Sequence, residues 1–153
     1  MQGRERRYVL DTNVFIRAVR DSAFGEGLAR FHAAFAPFEH FAAVVAQELI
    51  AGARGPAAAR TIDRAIIEPF ERRGRIIVPS YAAWKETGAV LSALVSSGMR
   101  WPDVSRSFVN DILLAMSCRE AGMVLVTENT RDFERIAQVK PFEFVAPWPV
   151  PSS

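Results

Sequence analysis

Tyr8-Val9-Leu10-Asp11-Thr12-Asn13-Val14-Phe15-Ile16 is the stretch on which the reading of this chain turns. A short apolar run stops at Asp-Thr-Asn, and apolar residues then resume at helical spacing. That pattern describes a buried strand delivering a carboxylate to its C-terminal end, where a helix begins. In open α/β sheets, ligands bind outside the carboxyl ends of the strands. A charge directly behind a core strand loses hydration and needs a partner. A metal ion is one such partner; capping the helix is the other ordinary task of an aspartate at this junction.

Working outward, strands predicted at 8–10, 41–43, 75–78, 123–126 and 142–145 are separated by predicted helices. The helices span 14–20, 25–36, 44–54, 57–70, 81–97 and 105–121, with a short one ending near 138. Asn13 is expected to cap the first, Pro37 to stop the second, Gly55-Pro56 to close the third, and Gly122 to end the helix from 105. Within 81–97, Trp84, Gly88, Leu91 and Val95 lie near one stripe, and Trp101-Pro102-Asp103 reads as a loop. Strands alternating with helices predict an α/β fold around a parallel sheet. No repeat or linker divides the 153 residues, so one domain is expected. The tail 147–153, with prolines at 147, 149 and 151, should be extended and peripheral or dock on a partner.

Half the residues are hydrophobic (50%), which excludes a disordered chain. No apolar run approaches the ~20 residues of a membrane helix. The charged start (Arg4, Glu5, Arg6, Arg7) precedes an apolar run too short for a signal peptide. Cys118 is the single cysteine, so no internal disulfide can form and a cytoplasmic location is expected. The net charge is only +2, but 17 of the 19 basic residues are arginines, Lys85 and Lys140 being the two lysines. The arginine fork suits bidentate phosphate contacts, although an Ala- and Arg-heavy coding composition gives the same count.

Three further acids stand where the apolar pattern does not explain them. Glu48 shares a helical face with Val44, Val45 and Leu49. It needs a partner there, unless it lies at the edge of the stripe and reaches water or Arg54. Asp111 follows Asn110 in the first turns of a helix, where the dipole also favours an acid. The run Val124-Leu125-Val126-Thr127-Glu128-Asn129-Thr130-Arg131-Asp132-Phe133 ends another core strand in a polar cluster. There Asn129 or Asp132 could approach the same site, while Asn129 or Thr130 also suits a capping turn.

Carboxylates gathered in one cleft repel, and their pKa values rise without compensation. Hard divalent ions take oxygen ligands, and Mg²⁺ commonly keeps several waters while binding one or two carboxylates plus a substrate phosphate. Such a site can acidify water and stabilise in-line displacement at phosphorus. Thr12, Asn13, Thr127 and Asn129 are candidates for orienting ligands, and Arg17 and Arg131 for meeting phosphates. Other chemistries lack parts. His32 and His40, the only histidines, lie among phenylalanines. No Gly-x-Ser-x-Gly elbow, P-loop or dinucleotide fingerprint occurs. Cys118 reads as packing, and no Cys/His cluster suits zinc. A phosphoacceptor receiver needs paired early acids and a lysine after a late strand; Lys140 is too isolated.

The four segments Leu10–Ile16, Glu48-Leu49, Asn110–Ala115 and Val124–Phe133 together resemble the PIN domain, and most nearly the VapC-type toxin ribonucleases of bacterial toxin–antitoxin pairs. The resemblance covers nearly the whole chain, in order. It implies a PIN-like three-layer α/β sandwich with a central, mainly parallel sheet over residues 1–146, in which 57–97 is a variable, clip-like helical segment. It implies clustered acids that bind Mg²⁺ or Mn²⁺ and cut RNA with a metal-activated water. Carried over by motif, Asp11, Glu48 and Asp111 are the three core acids and metal ligands. At the fourth position Asn129 and Asp132 compete, and its charge favours Asp132. A homodimer and a small antitoxin whose tail covers the acidic cleft are implied as well. The expected function is a metal-dependent endoribonuclease acting as a toxin; the alternative on the same fold is a non-catalytic RNA-binding or assembly module.

Overall fold

Strands β1 (Tyr8–Leu10), β2 (Glu39–Ala42), β3 (Ile76–Ile77), β4 (Val124–Val126) and β5 (Phe144–Val145) form one sheet in the order β3-β2-β1-β4-β5, parallel throughout. The structure is a computed structural model and describes residues 5–150; Arg4 and Pro151 lie outside them. The helices are α1 (Thr12–Arg20), α2 (Ser22–Phe35), α3 (Ala43–Ala51), α4 (Pro56–Ile62), α5 (Glu68–Arg72), α6 (Tyr81–Ser96), α7 (Arg106–Ala121) and α8 (Thr130–Val139). The helices between β1 and β3 pack among themselves, as do those after β3. Right-handed crossovers put these two groups on opposite faces, giving the expected three layers. The inner strands are apolar because both faces are covered: Val9, Leu10, Leu125 and Val126 are all fully buried.

The strand order matters for the site. The chain runs outward from β1 to β3, then returns to the other side of β1 for β4 and β5. The switch point therefore lies between β1 and β4, which pair with Leu10 opposite Val126. Crevices outside such points are where ligands bind in doubly wound sheets.

Several local expectations are corrected. Helix α1 begins at Thr12 and is capped by Asp11, not Asn13. Helix α2 starts at Ser22, because the Asp21 side chain accepts from the Phe24 N–H and caps it. The helix predicted over 57–70 is broken by a π-helical turn, Asp63–Ile67. The buried stripe of α6 is Ala83, Thr87, Val90 and Leu94; Trp84 is 57% exposed. Trp101–Asp103 forms a 3₁₀ turn. The tail folds back on its own chain, where the Trp148 ring packs 5.0 Å from Phe24 and 5.5 Å from Phe31. No helix among the described residues is long and apolar enough to cross a membrane.

Candidate active site

Because β1 and β4 are neighbours in register, the residues that follow them emerge side by side. The Asp11 N–H donates to the Val126 carbonyl at 2.9 Å, continuing the ladder by one step. Its side chain then turns into the crevice. Oδ1 accepts from the Thr12 N–H at 2.8 Å, and Oδ2 accepts from Thr127 Oγ1 at 2.8 Å and from Asn13 Nδ2 at 3.3 Å. Asp11 thus caps α1 and faces the site at once; the two readings of this residue are compatible.

Glu48 reaches the same crevice from the second turn of α3. Its partner is Thr12, whose Oγ1 donates to Glu48 Oε1 at 2.9 Å. Asp111 enters from α7, a helix whose residues from Asp111 to Cys118 are all buried. Asn129, just after β4, ties the remaining acids together. Its Nδ2 donates to Asp111 Oδ2 at 3.3 Å and to Asp132 Oδ2 at 3.1 Å, and its N–H donates to Thr127 Oγ1 at 3.0 Å. Asn129 occupies the N-cap position of α8, yet its side chain makes no capping bond, being committed to the acids. Asp132 also lies 3.9 Å from Arg135.

The electrostatics follow from this crowding. Burial pushes the Asp11 carboxyl up to about 6, against the pull of its bonds from Thr127 and Thr12, and the charge of Glu48 adds to the rise. Burial, then the charges of Asp11, Glu48 and Asp132, push Asp111 up to about 8. Asp111 therefore feels the charge of the three other acids. Among the described residues, no group of three Asp, Glu, His or Cys side chains is arranged to hold a metal ion as it stands. The acids instead face one another through bonds from Thr12, Thr127 and Asn129. The donor set is all oxygen and anionic, the ligand chemistry that a hard divalent cation takes with water completing its shell.

Arg17 donates to Glu128, lies 3.8 Å from Asp21 and stacks over Phe24. Arg131 is exposed on the first turn of α8. His32 is bonded to Glu39, a buried acid on β2 that the sequence reading did not single out. Burial also pushes the Cys118 thiol far up, consistent with packing.

A parallel, doubly wound α/β domain with an oxygen-rich acidic crevice at its switch point is the class these features define. Residues 8–139 match the PIN domain family, and the chain belongs to it. Similar structures include the DNA-bound VapBC from Salmonella typhimurium (24% identity, TM-score 0.70, covering 93% of this chain and 98% of that one). VapBC-1 from nontypeable Haemophilus influenzae is alike at 24% identity and TM-score 0.66, over 91% of this chain and 96% of that one. FitAcB from Neisseria gonorrhoeae is alike at 16% identity and TM-score 0.66, over 94% and 99%. At such identities the likeness concerns the fold. Comparison with curated proteins finds no match.

Proposed function

We propose that this protein is a divalent-metal-dependent endoribonuclease and the toxin of a toxin–antitoxin pair. The observation that carries the reading is the convergence of Asp11, Glu48, Asp111 and Asp132 on one crevice of a PIN domain, from four elements remote in the chain. Asp11, Glu48 and Asp111 would hold Mg²⁺ or Mn²⁺, with Asp132 at the fourth position and Asn129 bridging it to Asp111. When bound, the ion supplies positive charge that acidifies water and offsets the charge that builds on a phosphodiester during displacement.

The chain's own residues prepare that chemistry. Thr127, Thr12 and Asn13 fix both oxygens of Asp11, so its direction is set before any ligand arrives. Thr12 orients Glu48 in the same way. Burial and the neighbouring acids raise the Asp111 carboxyl to about 8, and a bound cation would favour its ionised form. Asn129 donates to Asp111 and Asp132 together and keeps the two from turning apart.

A partner is part of this reading. The similar structures are VapBC and FitAcB assemblies, which supports a small antitoxin bound to this chain. The family resemblance adds a homodimer as the expected oligomer. The groove lined by Phe15, Ile16, Val19, Leu49 and Ile66 also touches Glu48, so an antitoxin segment seated there would end at the acids.

The test is RNA cleavage in Mn²⁺ or Mg²⁺, with chelator as control. Asp11→Asn and Asp111→Asn should each abolish cleavage while keeping the native circular dichroism spectrum. Full activity in both variants would refute the assignment. Salt-dependent RNA binding without turnover in either metal would select the non-catalytic module instead.

A further inference from the structure

A groove of about 370 Å³ runs between α3 and α7 and opens beside Glu48, with Gln47, Gly52, Arg106, Ser107 and Asn110 among its walls. It adjoins the acid crevice but differs from it chemically. Arg106 is exposed and makes no ion pair among the described residues, unlike Arg17, which is engaged by Glu128 and Asp21. Arg106 and Asn110 are four apart on α7 and so present one face to the groove, while Asp111, the next residue, turns to the acids. Across the groove Gln47 precedes Glu48 on α3. The walls thus offer a free guanidinium, two side-chain amides and a hydroxyl, next to the carboxylates. A guanidinium fits a phosphate, and amides offer both donor and acceptor to a base edge.

We propose that this groove seats the RNA nucleotide adjoining the bond to be cut, with Arg106 holding its phosphate and Gln47 and Asn110 reading its base. The assignment rests on the nuclease reading above and adds to it the determinants of where the strand lies. Sequence pattern alone does not mark Arg106, because an exposed arginine in a first helical turn has no distinguishing context until α3 is placed opposite it.

Binding and cleavage test it separately. In chelator, anisotropy of a short fluorescein-labelled single-stranded RNA should show Arg106→Gln binding about tenfold more weakly than wild type, the loss of one charged contact. The dependence on salt should flatten by about one unit of slope. Arg30→Gln, an exposed arginine on α2, matches the charge change and should bind as wild type does. In Mn²⁺, Arg106→Gln should raise KM by a similar factor and leave kcat within about twofold. Gln47→Ala should alter the base preference beside the cut in a pool of random-sequence RNA. If wild type cuts RNA and Arg106→Gln matches Arg30→Gln in both assays, the groove proposal is overturned and the nuclease reading stands. If wild type binds RNA through Arg106 but never cuts it, the nuclease reading falls and takes with it the groove's role beside a cleaved bond. If wild type neither binds nor cuts RNA, both fall.

Discussion

Thr127 Oγ1 donates to Asp11 Oδ2 at 2.8 Å, joining residues 116 apart in sequence at the ends of two adjacent strands. Both are buried, and the same hydroxyl accepts from the Asn129 N–H, so it links Asp11 to the residue that spans Asp111 and Asp132. Thr127→Val keeps the shape and removes the hydroxyl. It should destabilise the protein by about 1–2 kcal/mol, since a buried carboxylate and a backbone N–H each lose a partner. Chemical denaturation measures this; an unchanged midpoint and slope would show that the bond does not order the site.

Asn129 lies between two acids and donates to both. Asn129→Asp replaces both donated bonds with a further carboxyl group beside Asp111 and Asp132. In chelator the variant should lose on the order of 1–2 kcal/mol of stability. Saturating Mn²⁺ should restore most of that loss, because a cation reverses the sign of the local interaction. Thermal melts with and without Mn²⁺ decide the matter. Equal losses in both conditions would place residue 129 outside the reach of the ion.

How much of this could be read from the sequence depends on whether a signal is local. The break from Leu10 to Asp11 is local, so the strand, the turn and the acid at its tip are all legible. Glu48 is legible because its helix has one apolar face that it disturbs. Asp111 is harder: α7 is buried on nearly every side, so periodicity does not separate the acid from its neighbours. The buried stripe of α6 is hidden from the sequence because Trp84, the largest apolar residue there, is exposed, while small Ala83 and polar Thr87 face the core. Thr87 can be buried because its hydroxyl bonds to the Ala83 carbonyl. The bridging task of Asn129 depends on Asp111, contributed by a distant helix, and no local pattern contains it.

The return of the tail to α2 is likewise a long-range fact, and it uses a glycine. A Cβ on Gly27 would lie 2.4 Å from Trp148 Nε1, so Gly27 is what lets the indole approach the helix this closely. Gly27→Ala should displace Trp148 and cost about 1 kcal/mol. Trp84 and Trp101 are already exposed, so a red shift of intrinsic fluorescence reports Trp148 in particular. An unshifted spectrum in the variant would mean that the tail is not held by this contact.

The raised carboxyls make stability and metal affinity run in opposite directions with pH. Asp11 and Asp111 have folded-state values of about 6 and about 8, each above the ordinary 3.8. Their contribution is therefore fully present below about pH 4, where both states are protonated, and is lost as pH rises through about 6 and then about 8. Within that window the folded state binds more protons than the unfolded one, so metal-free stability falls with pH. Metal binding requires the ionised carboxylates and releases those protons, so Mn²⁺ affinity climbs across the same window. Denaturant melts in chelator at pH 5 and pH 8 should show the loss, and Mn²⁺ titrations at the same two values should show the gain. Other groups titrate in this range, so the comparison with Asp111→Asn isolates the effect. That variant should lose less stability than wild type between the two pH values and show weaker, flatter Mn²⁺ binding. If Asp111→Asn instead tracked wild type at both pH values, Asp111 could not be the crowded acid that a cation relieves, and the shared-cation account of the crevice would have to be abandoned.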